Sequence, residues 1–334
     1  MDITTVADDI IVAHQPAPSS AVVRLTDLQP DTTHHIGDLA VRTLPRPEGE
    51  LLCRIGTVND LHFGEVECGK LDDDPRGPVQ RVAPGETPYA ETMNNGAIAE
   101  MSAASLSAVI AKGDLTNDGT DDEFAAFEAA YRGAFGDRLH VVRGNHDAYR
   151  GQAAYTGDEW IELPGVAVAL LDTVLSEQTT GSITASQLQW LDDKAADSDR
   201  PVIVMGHHQQ WISGQRHNEY FGLDPDSSDG LNDVTTRRPQ IVAYTAGHTH
   251  RHRVRKMKCG VPSVEVGCVK DFPGTWAEYR VYEGGITQVV HRISSPEALR
   301  WSDRCRHLMA DYGIDYETYA LGTLEDRCFN ILLR

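Results

Sequence analysis

The sequence predicts a layered α/β fold, and three observations carry that prediction. From Leu51 onward, short apolar runs alternate with helix-like stretches. Most of those runs lead straight into a turn bearing Asp or His, as expected where ligands gather beyond the carboxyl ends of strands. The composition is that of an ordinary globular chain, with 40% hydrophobic and 24% charged residues among 334.

Taken in order, residues 1–50 read as an N-terminal β segment. Residues 21–45 alternate around a Leu28-Gln29-Pro30-Asp31-Thr32 turn, and a Pro-rich connector follows from Pro45 to Gly49. The phrase resembles the last strands of a fibronectin type III module. The body, 51–295, is expected to hold strands at Leu51–Val58, Leu106–Ile110, Leu139–Val142, Val166–Leu171, Pro201–Met205, Ile241–Ala246 and Ser263–Val266. One helix follows Thr120, which has Glu123 in capping-box spacing and places Phe124, Phe127 and Tyr131 on one face. Another begins at Thr184 with Leu188 and Leu191 facing inward. Residues 64–95 read as a loop insertion, and such loops shape substrate pockets. Residues 296–334 form a helix-prone C-terminal extension suited to covering the sheet, forming a lid or making a homo-oligomer contact.

The formal net charge of −20, from 50 acidic and 30 basic residues, disfavours a nucleic-acid partner. The N-terminus has no basic region before an apolar run, and no stretch reaches the length of a membrane span, so a cytoplasmic location is expected. Six cysteines lack a Cys-x-x-Cys pair. They read as buried thiols, with a Cys259 to Cys268 or tail disulfide as the alternative. Gly64–Leu71 imitates a phosphate-binding loop, but Leu71 stands where Ser or Thr would hold magnesium, and no helix start follows.

The chemistry lies in five segments: Asp60 and His62; Asp114; Asn145, His146 and Asp147; His207 and His208; His248 and His250. Side chains two apart share a face of a strand, so Asp60 and His62 can grip one ion together, as can residues spaced like His248 and His250. Imidazole, carboxylate and amide ligands without thiolate suit iron, manganese or zinc. A pair of ions about 3.5–4 Å apart can hold both ends of an in-line phosphoryl displacement. Arg143 stands ready either to bind a substrate phosphate or to pair with a local Asp. The remaining histidines, His14, His34, His35, His140, His217, His252, His291 and His307, read as structural or surface residues.

In this order the patterns D-x-H, G-D, G-N-H-D, H and G-H-x-H resemble the calcineurin-like metallophosphoesterase superfamily over about Leu51 to Ile293. The resemblance implies a β-sandwich flanked by helices, an αββα fold. It assigns Asp60, His62 and His250 to a first metal and Asn145, His207 and His248 to a second, with Asp114 bridging. Its pattern favours His207 over His208, because the ligand follows the strand directly. It gives His146 the task of contacting the phosphate and protonating the leaving oxygen, with Asp147 orienting His146. The implied activity is hydrolysis of a small phosphodiester or phosphomonoester by metal-bound hydroxide.

The spacing resembles the cyclic-nucleotide phosphodiesterase and purple acid phosphatase branches more than the protein-phosphatase branch. Leu115, Thr116 and Asn117 occupy the place where purple acid phosphatases carry a tyrosine, which sets a purple iron site apart from this chain. A nuclease of the same superfamily shares every ligand but conflicts with the acidic surface. A catalytically silent scaffold of the same fold would be expected to show ligand losses, and none is visible.

Overall fold

Two-residue alternation decides the layering. In the computed structural model, which describes residues 1–71, 74, 76–211 and 221–333, the chain opens with β1 (Asp2–Val6), β2 (Ile11–His14) and β3 (Val22–Leu25), an antiparallel sheet, and a hairpin of β4 (Thr33–Ile36) and β5 (Leu39–Arg42). Then come β6 (Leu51–Val58), α1 (Tyr89–Ala103), β7 (Ala108–Lys112), α2 (Asp121–Phe127), which runs on through a π turn into α3 (Gly133–Phe135), β8 (Leu139–Val142), β9 (Glu159–Leu163) and β10 (Val166–Leu170). The rest is α4 (Ala185–Asp197), β11 (Val202–Met205), α5 (Pro225–Arg237), β12 (Ile241–Ala246), β13 (Arg253–Lys256), β14 (Pro262–Glu265), β15 (Thr275–Tyr282) and β16 (Gly285–Arg292). It closes with α6 (Pro296–Arg304), α7 (Tyr316–Leu321), α8 (Leu324–Arg327) and β17 (Phe329–Ile331).

Two six-stranded sheets, ordered β13-β14-β12-β11-β10-β9 and β17-β16-β15-β6-β7-β8, pack face to face. Val166, Val168 and Leu170 of β10, with Ile203 and Met205 of β11, turn inward to meet Ile55, Ala108, Ile110, Val281 and Val290 of the other sheet. Their neighbours Ala167, Ala169, Val202 and Val204 turn outward against Leu191, Ala195, Leu231 and Val234 of α4 and α5. On the opposite face Val109 and Ala111 pack with Met93, Ala97, Phe127, Tyr131 and Trp301. Helix, sheet, sheet and helix therefore stack as the expected αββα layers.

Both helix starts read from the sequence carry complete capping boxes, Thr120 with Glu123 and Thr184 with Gln187. The strand expected at Leu106–Ile110 instead starts at Ala108, with Leu106 buried just before it. The 64–95 loop is shorter than expected, because α1 begins at Tyr89 and contains Asn94. Strand β15 is absent from the sequence reading because Glu278 and Arg280 interrupt it, whereas the other fully buried strands, such as β10 and β12, are continuous apolar runs. Its polar residues are paired internally: Arg280 with Glu278, Asp8 and Asp9, and Glu278 also with Arg54.

Both ends of the chain attach to the second sheet. Thr5 donates its hydroxyl hydrogen to the Val290 carbonyl at 2.7 Å, and Val6 and Ile11 pack with Val289 and Cys328. Strand β17 pairs with β16, and the Arg327 guanidinium reaches the Ile3 carbonyl at 2.7 Å. All six cysteines are free thiols, so neither disulfide alternative is present. His217 lies outside the described residues. Among those that are described, no helix is long and apolar enough to cross a membrane.

Candidate metal centre

Parallel strands β6, β7 and β8 of one sheet and β11 and β12 of the other all end at the same mouth of the sandwich. Each terminates just ahead of one of the five segments. The Asp-x-His and His-x-His pairs do not lie within the strands, as the alternation argument assumed. Asp60, His62, Asp114, His248 and His250 all sit past strand ends at positive φ, between 48° and 69°. Left-handed backbone costs an L residue on the order of 1–2 kcal/mol, and such strain gathers at functional sites.

Glycines allow these turns to close. A methyl group on Gly144 would overlap the backbone nitrogen and a carboxylate oxygen of Asp114, and one on Gly247 would press on Asn59 and Asp60 at 2.8 Å.

Asp114 occupies the centre. Its Oδ1 accepts from the His146 backbone N–H at 3.0 Å, while Oδ2 lies 3.6 Å from His62 Nε2 and 3.3 Å from His207 Nε2. Asp60 approaches His250 Nε2 at 3.6 Å and accepts two bonds from the His248 N–H at 3.1 Å. His207 donates Nδ1–H to the Lys112 carbonyl at 2.9 Å, which turns Nε2 toward Asn145 Oδ1 at 3.1 Å. His248 and His250 separate: the first groups with His207, the second with Asp60 and His62. They do not grip one ion as a pair.

These residues fit two ions on the evidence of their unpaired nitrogens. Both ring nitrogens of His62 and Nε2 of His248 are buried without a hydrogen-bond partner, a costly condition unless a further group supplies one. Burial first, then the charge of Lys270, holds His62 well below its usual pKa; burial and then His208 do the same to His248. Such imidazoles are neutral and present lone pairs. Burial works against charge at Asp114 and His207 also. At Asp114 the positive charge of His207 overcomes it and lowers the carboxyl; at His207 the Asp114 charge raises the ring to about 9.

One expected contact is absent and two open alternatives narrow. His208 has both ring nitrogens engaged, Nδ1 with the Thr173 hydroxyl at 2.8 Å and Nε2 donating to the Thr179 carbonyl at 3.2 Å, although it lies within ligand distance of His207 and His248. Asp147 makes no hydrogen bond to His146; it accepts from the N–H groups of Gly144, Leu115 and Thr116 and from the Thr116 hydroxyl, tying two turns together. His146 is oriented instead by donating Nδ1–H to the Asn117 carbonyl at 2.6 Å, which leaves Nε2 unengaged. Arg143 is committed to Asp172 at 2.9 Å and to the Gln152 carbonyl, away from the cleft lining.

Other contributors were not read from the sequence. Asp271 bonds His250 Nδ1 at 3.3 Å and accepts from Tyr316 at 2.9 Å. Asn94 holds the Leu61 carbonyl at 3.0 Å. Lys112 lies fully buried beneath the cluster, donating to Thr245 at 3.2 Å, and burial pushes it down to about 7 against the pull of Asp60. None of these has a local signature: each acts across a long stretch of chain. Above the cluster opens a cleft of about 850 Å³, walled by residues 65–71 on one side and by Leu308, Met309, Ile314, Tyr316 and Tyr319 on another.

The family model of calcineurin-like phosphoesterases matches residues 53–252, and the chain belongs to that family. It is 24% identical over 149 residues to a probable cyclic nucleotide phosphodiesterase of Synechococcus sp., covering 43% of this chain and 57% of the relative. It is also 24% identical over 155 residues to a probable glycerophosphodiester phosphodiesterase of Arcobacter nitrofigilis, covering 43% and 56%. The chain thus spans little more than half the length of these curated relatives. A dimetal phosphatase from Danio rerio shares the fold, with a TM-score of 0.57, 14% identity, and coverage of 73% of this chain and 98% of its own.

Proposed function

We propose that this protein is a dinuclear metal-dependent phosphoesterase that hydrolyses a small phosphodiester, with activity of the cyclic-nucleotide phosphodiesterase type favoured over monoester cleavage. The observation that carries the reading is the position of Asp114 Oδ2 between His62 and His207. On this reading Asp60, His62 and His250 hold one ion, Asn145, His207 and His248 the other, and Asp114 both. Two ions in such a site lower the pKa of a bound water and neutralise phosphate oxygens. The diester preference rests on the named activities of the two curated relatives, both phosphodiesterases.

The chain's own groups divide the remaining work. Lys112 and Asn59 brace the turns that carry Asp60 and His207. His146, steadied by Asn117, presents Nε2 to the leaving oxygen and delivers a proton as the P–O bond breaks. One water is consumed: an open-chain diester yields an alcohol and a phosphate monoester, and a cyclic diester opens to one monoester that keeps the freed hydroxyl.

The test is metal analysis together with turnover of bis(4-nitrophenyl) phosphate and 4-nitrophenyl phosphate. Two bound ions with faster diester cleavage is the expected result. Two bound ions with no cleavage of either ester would overturn the proposal and leave a binding module of this fold.

A further inference from the structure

Among the described residues, ten large hydrophobic side chains are strongly exposed. Four of them, Val66 at 69%, Leu71 at 45%, Phe221 at 53% and Ile314 at 38%, line the one cleft above the ligand cluster. Deeper in the same wall lie Leu308, Met309 and the rings of Tyr316 and Tyr319. Exposed apolar surface that collects at a concave site, rather than scattering singly, marks a binding surface.

The wall adjoins the chemistry directly. Phe221 stacks on the His248 ring at 4.1 Å and 27°, and the Tyr319 hydroxyl bonds the Thr249 carbonyl at 2.9 Å. Among the described residues, charges along this rim are paired: Lys270 with Glu65 at 2.6 Å, Lys70 and Arg81 with Glu67, and Asp118 with Arg150 at 3.2 Å. A hydrocarbon group laid on this wall would cover apolar surface that water now wets.

We propose that the cleft accepts a phosphodiester carrying a bulky apolar ester group, alkyl or aryl, against the wall formed by Val66, Leu71, Phe221, Ile314 and Tyr319. The C-terminal segment is thereby a specificity element. This rests on the phosphoesterase reading only in placing the phosphate at the ligand cluster.

The inference is tested by calorimetric titration of manganese-loaded protein with n-alkylphosphonates from methyl to octyl, each below its aggregation concentration, in parallel with turnover of 4-nitrophenyl alkyl phosphates of the same lengths. Complete burial of a methylene is worth about fourfold in affinity, and a half-open wall about twofold. Affinity is therefore expected to rise on the order of a hundredfold from methyl to octyl. The double variant Val66→Ser/Ile314→Ser is expected to cut that gain to under about tenfold, and its near-UV circular dichroism to match that of the parent.

Flat affinity across the series, or an undiminished slope in a folded double variant, would each overturn the inference. A slope in binding with no ester turned over would overturn the catalytic reading and leave the subsite standing. Turnover with no slope would do the reverse.

Discussion

On the proposed reading, single side chains divide into those that would hold ions and those that would act on the substrate. Asn145 turns its amide oxygen toward His207, while the neighbouring His146, packed edge-on against His62, is oriented by the Asn117 carbonyl. Asn145→Ala is therefore expected to lower the affinity of one of two ions by about tenfold or more, read by equilibrium dialysis with metal analysis. His146→Ala is expected to keep both ions and lower turnover by a factor of about 10²–10⁴. Equal metal loss in both variants would collapse the distinction. Far from the cluster, His14 lies buried between the Thr4 hydroxyl at 2.8 Å and the Ser294 hydroxyl at 3.1 Å. Burial, and next the nearby Arg292, push its pKa from 6.5 down to about 3. The unfolded chain therefore binds more protons between those values, so stability falls as pH drops from 6.5 toward 3, by up to about 1.4 kcal/mol per pH unit. His14→Gln should flatten the dependence of melting temperature on pH over this window. An unchanged slope would assign the acid lability to other groups, such as the ion-paired Glu278.

Among the elements, the turns rather than the strands carry the site. Gly144 shows why, since its missing side chain is what lets the Asn145 turn close onto Asp114. Gly144→Ala is expected to destabilise the fold by roughly 1–3 kcal/mol and to weaken metal binding, measured by denaturant unfolding and dialysis. The same substitution without either effect would mean that the two turns separate freely. Helix α2 has an ordinary cap, and Thr120→Ala should cost about 1 kcal/mol by chemical denaturation with no change in metal content. What the sequence made legible follows this division. Asp60, Asp114, Asn145, His207 and His250 belong to short local patterns, and the two capping boxes are local as well. Asn117 orients His146 through a backbone carbonyl, a group every residue possesses, so nothing in the residue type announces it. Asp147 is expected to orient His146 because a carboxylate commonly holds a histidine acid, yet its oxygens instead collect four donors from Gly144, Leu115 and Thr116. Strand β15 escaped because its buried Glu278 and Arg280 break the apolar run by which other fully buried strands are read.

For the molecule as a whole, the cluster is a point of stored cost. Five residues of the candidate centre take left-handed backbone, and buried nitrogens of His62 and His248 lack partners. Bound ions would offset this, and a ligand at a thousand times its dissociation constant stabilises by about 4 kcal/mol. Chelation with EDTA is expected to lower the melting temperature by several degrees, and reloading with metal to restore it. A melting temperature indifferent to chelator would contradict the centre as described. The long-range partners, Asp271 to His250 and Tyr316 to Asp271, explain why the cleft was less legible than the ligands: no spacing rule connects His250 with a tyrosine that reaches it through a third residue.

The wall supplied by Leu308 to Tyr319 also sets an order of events in biosynthesis. Every proposed ligand, through His250, leaves the ribosome before that wall does. A nascent chain that has reached Arg292 already contains both sheets except β17, and so can gather its ligands around metal while the cleft is still open on one side. On the proposal above, substrate choice is thus completed only after every proposed ligand has been made.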